Sequence, residues 1–137
     1  MKSHKRIIVF IFLLGYTMLL SYSMIWGFGR TAQPGYSYNL VPFLTMASYF
    51  PVRGMDSLIN IIGNIAVFVP FGVLIPLAFR VGFRKMLGFF LTGLFLLEMI
   101  QLISRRGSLD VDDFMLNSIG VTLGYGLLGV VRKWRSG

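Results

Sequence analysis

Four long apolar stretches divide the 137-residue chain, and they restrict its fold more than any other feature. Each is close to the roughly 20 residues that an α-helix needs to cross the hydrocarbon layer of a membrane. Only 13% of the residues are charged, about half the usual share in a water-soluble domain. The sequence therefore predicts an all-α polytopic membrane helix bundle. We expect a single domain over residues 1–137, with transmembrane spans at about 7–28, 57–79, 86–104 and 114–131.

The segments around the spans refine this prediction. The first apolar stretch follows a basic start, as in a signal peptide, but it is too long and has no small-residue cleavage motif, so we predict an uncleaved helix. Residues 30–56 contain Pro34, Pro42 and Pro51 and are predicted to form a long loop. A short interfacial or re-entrant helix is expected near residues 40–50. In the second span, Pro70 removes an internal hydrogen bond and should kink the helix.

The distribution of basic residues predicts the orientation of the spans. With four spans, both termini and the turn at residues 80–85 lie on the same side of the membrane. Nine of the thirteen Lys and Arg residues are on that side, and the positive-inside rule places it in the cytoplasm. The loops at residues 29–56 and 105–113 then face outward. Because this asymmetry explains the net charge of +8, we expect membrane lipid and not nucleic acid as a partner.

Polar residues three or four positions apart, which share one helical face, interrupt the outward half of the last three spans. An acidic side chain at the bilayer centre costs about 3 kcal/mol, and these residues lie at a similar depth. They therefore predict a polar pocket that opens outward. Gly120 and Gly124 continue the polar stripe of the fourth span and predict close helix packing. The polar pairs are Asn60 with Asn64, Glu98 with Gln101, and Asp113 with Asn117.

The same residues also admit a structural interpretation. Asn and Gln side chains in membrane bundles often hydrogen-bond one helix to another. A functional role is favoured for Glu98, because burying a carboxylate in the membrane is costly. A protonated Glu98 that is hydrogen-bonded to Gln101 or to an Asn would instead have a structural role.

The charged loop between the third and fourth spans is predicted to cover the pocket. It carries Arg105, Arg106, Asp110, Asp112 and Asp113. In one interpretation these side chains are ligands. In the other, the loop is hydrated, Asp112 or Asp113 caps the fourth helix by accepting backbone N–H bonds, and the arginines pair with the aspartates.

Motifs in a fixed order across residues 39–126 resemble those of the VanZ-like family of bacterial membrane proteins. The resemblance implies four to five membrane helices and a cell-envelope setting. The founding member of that family is linked to low-level resistance to the glycopeptide teicoplanin, without a known enzymatic activity. The motifs are Asn39-x-x-Pro42-Phe43, Asn60-x-x-Gly63-Asn64-x-x-x-Phe68-x-Pro70-x-Gly72-x-x-x-Pro76, Glu98-x-x-Gln101, and Arg106-x-x-x-Asp110-x-Asp112-Asp113-x-x-x-Asn117-x-x-Gly120-x-x-x-Gly124.

Three functions remain open at this point, and binding or remodelling of an envelope component or amphiphile is ranked first. The pocket residues, with Asn39, would bind a lipid-linked wall precursor or an amphiphilic antibiotic, and Arg105 or Arg106 would contact its phosphate or carboxylate.

The second function is a membrane enzyme that acts on a lipid-linked substrate, with Glu98 as general base. Asp110, Asp112 and Asp113 are weak candidates for holding a divalent cation. Which of Glu98, Asp110 and Asp113 would be catalytic stays open, and the sequence identifies no cofactor. The third function is a transporter or scaffold. It requires an oligomer, because four spans are few for a transport path.

Overall fold

The structure, a computed structural model, describes residues 2–27, 29–48 and 54–137. Within these ranges, four helical spans are long and apolar enough to cross a membrane, which confirms the predicted all-α membrane bundle. A small parallel sheet joins two of the loops. The elements are α1 (Ser3–Trp26), β1 (Ser37–Asn39), α2 (Leu44–Ser48), α3 (Met55–Ala66), α4 (Val69–Phe79), α5 (Phe83–Ser104), β2 (Ser108–Asp110) and α6 (Val111–Ser136).

The long helices begin before the predicted spans, and most of them end close to where those spans end. α6 starts three residues earlier than expected, at Val111, and continues to Ser136. The predicted helix near residues 40–50 is represented by α2. The described residues do not include Phe28, at the predicted end of the first span. They also do not include residues 49–53, which contain Pro51 and Arg53, one of the thirteen Lys and Arg residues counted above.

The second span is broken into α3 and α4 instead of being only kinked. Next to Pro70, the N–H of Phe71 bonds to the carbonyl of Phe68 at 3.2 Å, one residue closer than an α-helix requires. The carbonyl of Val67 is thereby left for another donor, and the hydroxyl of Tyr16 on α1 donates to it. A membrane helix tolerates such a break when a neighbouring helix satisfies the freed carbonyl.

Glycines bring the backbone of α6 against the broken span. A Cβ atom at Gly120 would collide with the carbonyl oxygen of Ile65 on α3. A Cβ atom at Gly124 would collide with the carbonyl oxygen of Val69, and Gly124 also faces Gly72. The predicted role of the glycine stripe in close helix packing is confirmed.

Apolar side chains from α4, α5 and α6 form the core next to this crossing. Phe68 meets Phe90 edge to face, with ring centroids 5.6 Å apart, and Tyr16 contacts Phe71 with centroids 5.3 Å apart. Such close packing stabilises helix association in lipid, where burial of apolar surface contributes little. The buried cluster consists of Phe68, Phe71, Ile75, Met86, Phe90, Leu94 and Val121.

We expect Gly124→Ala to destabilise the protein by roughly 2 kcal/mol, because the new methyl group overlaps backbone that cannot move aside. Thermal unfolding in detergent measures the effect. Gly126→Ala is the matched control, since a Cβ atom there meets no other atom within 4 Å. Equal melting temperatures for the two variants would contradict the proposed backbone contact.

Candidate functional site

The structure brings six of the predicted site residues to one cavity of about 390 Å³, at the end of the bundle where α5 ends and α6 begins. We call it the polar cavity. Leu20 and Met24 of α1, with Val67 and Phe68, complete much of its wall. The six residues are Asn60, Asn64, Glu98, Gln101, Asp113 and Asn117.

Two buried oxygen atoms of the polar cavity have no hydrogen-bond partner among the described residues. They are Oε2 of Glu98 and Oδ1 of Asn117, on side chains that are 1% and 2% exposed. An unsatisfied buried polar atom costs roughly 1–3 kcal/mol, so its presence in a native structure requires an explanation. Both residues line the polar cavity, which is therefore the place to look for the missing donor groups.

The remaining amides of the polar cavity differ in their surroundings. Nε2 of Gln101 donates to the backbone carbonyl of Met24 at 2.9 Å, so this side chain joins α5 to α1. Asn64 is half-buried and Asn60 is exposed, one turn apart on α3. Gln101 therefore joins two helices, as the structural interpretation predicted, and it also lines the cavity with the asparagines of α3.

Arg30 also lines the polar cavity, together with Asp113, and sequence reasoning did not identify it as a site residue. Its Nη1 donates to the carbonyl of Arg106 at 3.4 Å. The sequence offers only a weak signal, an arginine soon after the first span. Its position depends on distant contacts, such as the bond of 2.7 Å from the N–H of Gln33 to the carbonyl of Arg105.

Asp110 holds the first loop, which is the segment between α1 and α3, at the start of α6. It does not line the polar cavity. Its Oδ1 accepts from Nδ2 of Asn39 at 3.1 Å and from the N–H of Asp112 at 2.9 Å, and its Oδ2 accepts from the hydroxyl of Thr45. The prediction that Asp112 or Asp113 caps the fourth helix is wrong. Because α6 begins earlier than expected, Asp110 is the residue with extended backbone that precedes it and caps it.

Asp112 also holds the first loop, through two backbone N–H groups. Its Oδ1 accepts from Phe43 at 2.7 Å and its Oδ2 from Met46 at 2.9 Å. The side chain is 0% exposed, so the expectation of a hydrated loop is wrong here. Phe43 has a φ of 67°, a backbone conformation that is costly for a side chain of this size, and the bond to Asp112 holds it there.

Arg105 and Arg106 lie outside the polar cavity. Nη1 of Arg105 donates to the carbonyl of Pro34 at 3.3 Å, and its guanidinium carbon is 5.8 Å from the ring centroid of Tyr36. The guanidinium carbon of Arg106 is 6.0 Å from the ring centroid of Trp26. Carbonyl oxygens and aromatic rings therefore hold both arginines, where the sequence suggested aspartates or a ligand.

The candidate metal-ligating carboxylates are divided between two places. Among the described residues, no group of three or more His, Asp and Glu side chains lies close enough together to hold an ion. Of the three weak candidates, Asp110 and Asp112 accept hydrogen bonds from the first loop, whereas Asp113 lines the polar cavity with Glu98. Two carboxylates are thus brought to the cavity itself.

A second, apolar cavity of about 330 Å³ lies between α1, α4 and α5. Leucine and phenylalanine side chains, among them Leu13, Phe71 and Leu94, form most of its wall. Leu20 and Phe68 line both this apolar cavity and the polar cavity. The two spaces are therefore adjacent, one with acceptor oxygens and the other with hydrocarbon walls.

Comparison with known proteins adds a family to this geometry. The family model described as VanZ/LLP1 matches residues 7–132. Protein VanZ of Enterococcus faecium is 34% identical over 98 residues, which make up 71% of this chain and 55% of that relative. The chain thus spans little more than half the length of the curated relative that it matches. No solved structure matches the chain.

We expect Asp112→Ala to release the first loop and to cost about 3 kcal/mol, because two backbone N–H groups lose a charged acceptor. Hydrogen exchange of the Phe43 and Met46 amides, followed by mass spectrometry, measures the release directly. Asp56→Ala is the control, since Asp56 is exposed and its loss should change stability by less than about 0.5 kcal/mol. Unchanged exchange in Asp112→Ala would refute this assignment.

Proposed function

The chain belongs to the VanZ/LLP1 family, and on that premise we propose that this membrane protein binds an amphiphile of the bacterial cell envelope in the polar cavity. The observation that carries the proposal is the pair of unpartnered buried oxygens on Glu98 and Asn117, next to a cavity with hydrocarbon walls. A molecule with a hydrogen-bond-donating head and an acyl tail would satisfy both spaces at once.

The head of the amphiphile would be recognised mainly through its donor groups. Glu98 and Asn117 present acceptors, and Asp113 adds a further carboxylate on the same wall. Arg30 would contact a phosphate or carboxylate of the ligand through a two-pronged guanidinium, the role first predicted for Arg105 or Arg106. A lipid-linked wall precursor or a glycopeptide antibiotic supplies hydroxyl and amide donors together with an anionic group.

The tail of the amphiphile would enter the apolar cavity through the wall that the two spaces share. Leu20 and Phe68 line both of them, so the tail would pass from one space to the other at these two side chains. Teicoplanin carries such an acyl chain. Resistance to teicoplanin is therefore the phenotype that this binding would explain, either by capture of the antibiotic or by remodelling of its target.

An enzyme is the second candidate, and the two carboxylates that line one cavity favour it. Glu98 and Asp113 line the same cavity from different helices, an arrangement suited to general acid–base work on a lipid-linked substrate. Turnover of such a substrate by the purified protein distinguishes this candidate from binding alone. The oligomer that transport would require stays a prediction.

The proposal places the polar cavity on the outer side of the membrane and both termini in the cytoplasm, in accordance with the positive-inside rule. The chain has no cysteine, so single cysteines can report the orientation without background. We expect a membrane-impermeant maleimide to label Thr31→Cys in intact cells and Ser136→Cys only after lysis. The reverse pattern would invert the proposed orientation.

Replacing Asn117 separates a binding role from a structural one. Asn117→Leu removes an unpaired buried oxygen, so we expect stability in detergent to be retained or raised by about 1 kcal/mol. Binding of a lipid-linked wall precursor or of teicoplanin should weaken about tenfold or more, which corresponds to 1.4 kcal/mol. Thermal unfolding and a binding titration in lipid nanodiscs measure the two effects.

Gln101→Leu is the contrasting control, because it breaks the bond to Met24 and should lower stability. Teicoplanin susceptibility of cells that express each variant at equal levels gives the phenotype. A destabilised Asn117→Leu that binds as well as the unaltered protein would show that the amide is structural and would overturn the proposal.

A further inference from the structure

A groove of about 850 Å³ runs between the start of α1, α4 and the end of α6. It lies at the opposite end of the bundle from the polar cavity. Arg132 lines the groove and follows Asp113 on α6 by 19 residues, a distance of about 28 Å at the rise of an α-helix. We call this space between α1, α4 and α6 the basic groove. None of the residues that line it also lines the polar cavity.

The rim of the basic groove is strongly positive. Lys2 and Lys5 contribute from the start of α1, and Arg132 and Arg135 from the end of α6. No acidic side chain lines it among the described residues. Arg6, by contrast, is turned to α4, where its Nε donates to the carbonyl of Ala78 at 2.9 Å. A net positive rim therefore remains without an anionic partner from the groove itself.

The floor of the basic groove is apolar. Val73 and Leu77 of α4 form one side of it, and Leu127, Leu128 and Val131 of α6 form the other. In a membrane, the apolar walls of this groove would lie in the hydrocarbon layer and its basic rim in the headgroup layer. Long basic side chains at helix ends reach the headgroups while their stems stay in the apolar layer.

We propose that the basic groove binds an anionic phospholipid. The headgroup phosphate contacts Lys2, Lys5 and the two arginines of α6, and an acyl chain lies along α4 and α6. Charge complementarity selects an anionic over a zwitterionic lipid, as at other basic pockets between membrane helices. The hydrocarbon walls select a membrane lipid over free phosphate. This site is separate from the proposed amphiphile site and does not depend on it.

The test uses the full chain in a non-ionic detergent, titrated with dioleoyl phosphatidylglycerol, dioleoyl phosphatidylcholine or inorganic phosphate. Native mass spectrometry counts the retained lipid, and thermal unfolding measures its stabilising effect. We expect phosphatidylglycerol to be retained and to raise the melting temperature, and the other two to do neither. Equal retention of both lipids, or an equal effect of inorganic phosphate, would overturn the proposal.

Two pairs of variants test the charges. The double variant Arg132→Gln/Arg135→Gln should weaken retention of phosphatidylglycerol about tenfold or more, since each basic residue near the surface contributes. The double variant Arg84→Gln/Lys85→Gln removes the same charge from the start of α5, outside the groove, and should weaken it less than about threefold. Similar losses in both would mean diffuse attraction to a basic surface and would overturn the proposal.

A further pair of variants tests the apolar floor without any change of charge. Val131 lines the groove, whereas its neighbour Val130 does not, and they are 53% and 52% exposed. Val131→Trp should fill the groove and abolish selective retention of phosphatidylglycerol. Val130→Trp should leave it unchanged. Equal binding by the two variants would contradict a lipid in the groove, and melting temperatures without lipid verify that each variant is folded.

Discussion

Backbone contact between α6 and the broken second span is the constraint on which the rest of the structure depends. Gly120 and Gly124 have no side chain, so the carbonyl oxygens of Ile65 and Val69 lie directly against the α6 backbone. Asn117 lies one turn before Gly120, and Asn64 immediately precedes Ile65, so this crossing carries both amides to the wall of the polar cavity. A larger residue at the crossing would separate the helices and pull the two amides apart.

Buried polar groups of this chain fall into two kinds, those that have a hydrogen-bond partner and those that have none in the described structure. Those of Gln101, Asp110 and Asp112 are paired, and each joins segments distant in sequence. Oε2 of Glu98 and Oδ1 of Asn117 have no hydrogen-bond partner in the described structure, and both residues line the polar cavity. Pairing stabilises a fold, whereas an unpaired buried acceptor costs stability and remains available to a ligand. The same residue types therefore join segments of the fold at one place and line the polar cavity at another.

Sequence periodicity predicted the features that depend on neighbours three or four residues apart. The helical spans, the shared faces of the polar pairs and the close approach at Gly120 all follow from spacing along one helix. Features that join distant segments left no such pattern. The strands are three residues long, too short for alternation to be recognised. The place of Arg30 depends on contacts such as the bond from Gln33 to Arg105, which spacing along one helix does not predict. Spacing also could not tell Asp112 from Asp113, because the early start of α6 decides which carboxylate faces the cavity.

The parallel pairing of β1 with β2 has a consequence for the order of assembly. An antiparallel hairpin can close as soon as its turn is made, but a parallel pair needs a long crossover, and here two membrane spans supply it. Partner residues such as Ser37 and Ser108 are 71 positions apart. At a synthesis rate of about 5–20 residues per second, β2 is completed roughly 4–14 seconds after β1. Most of the helices are therefore synthesised before the two strands can pair.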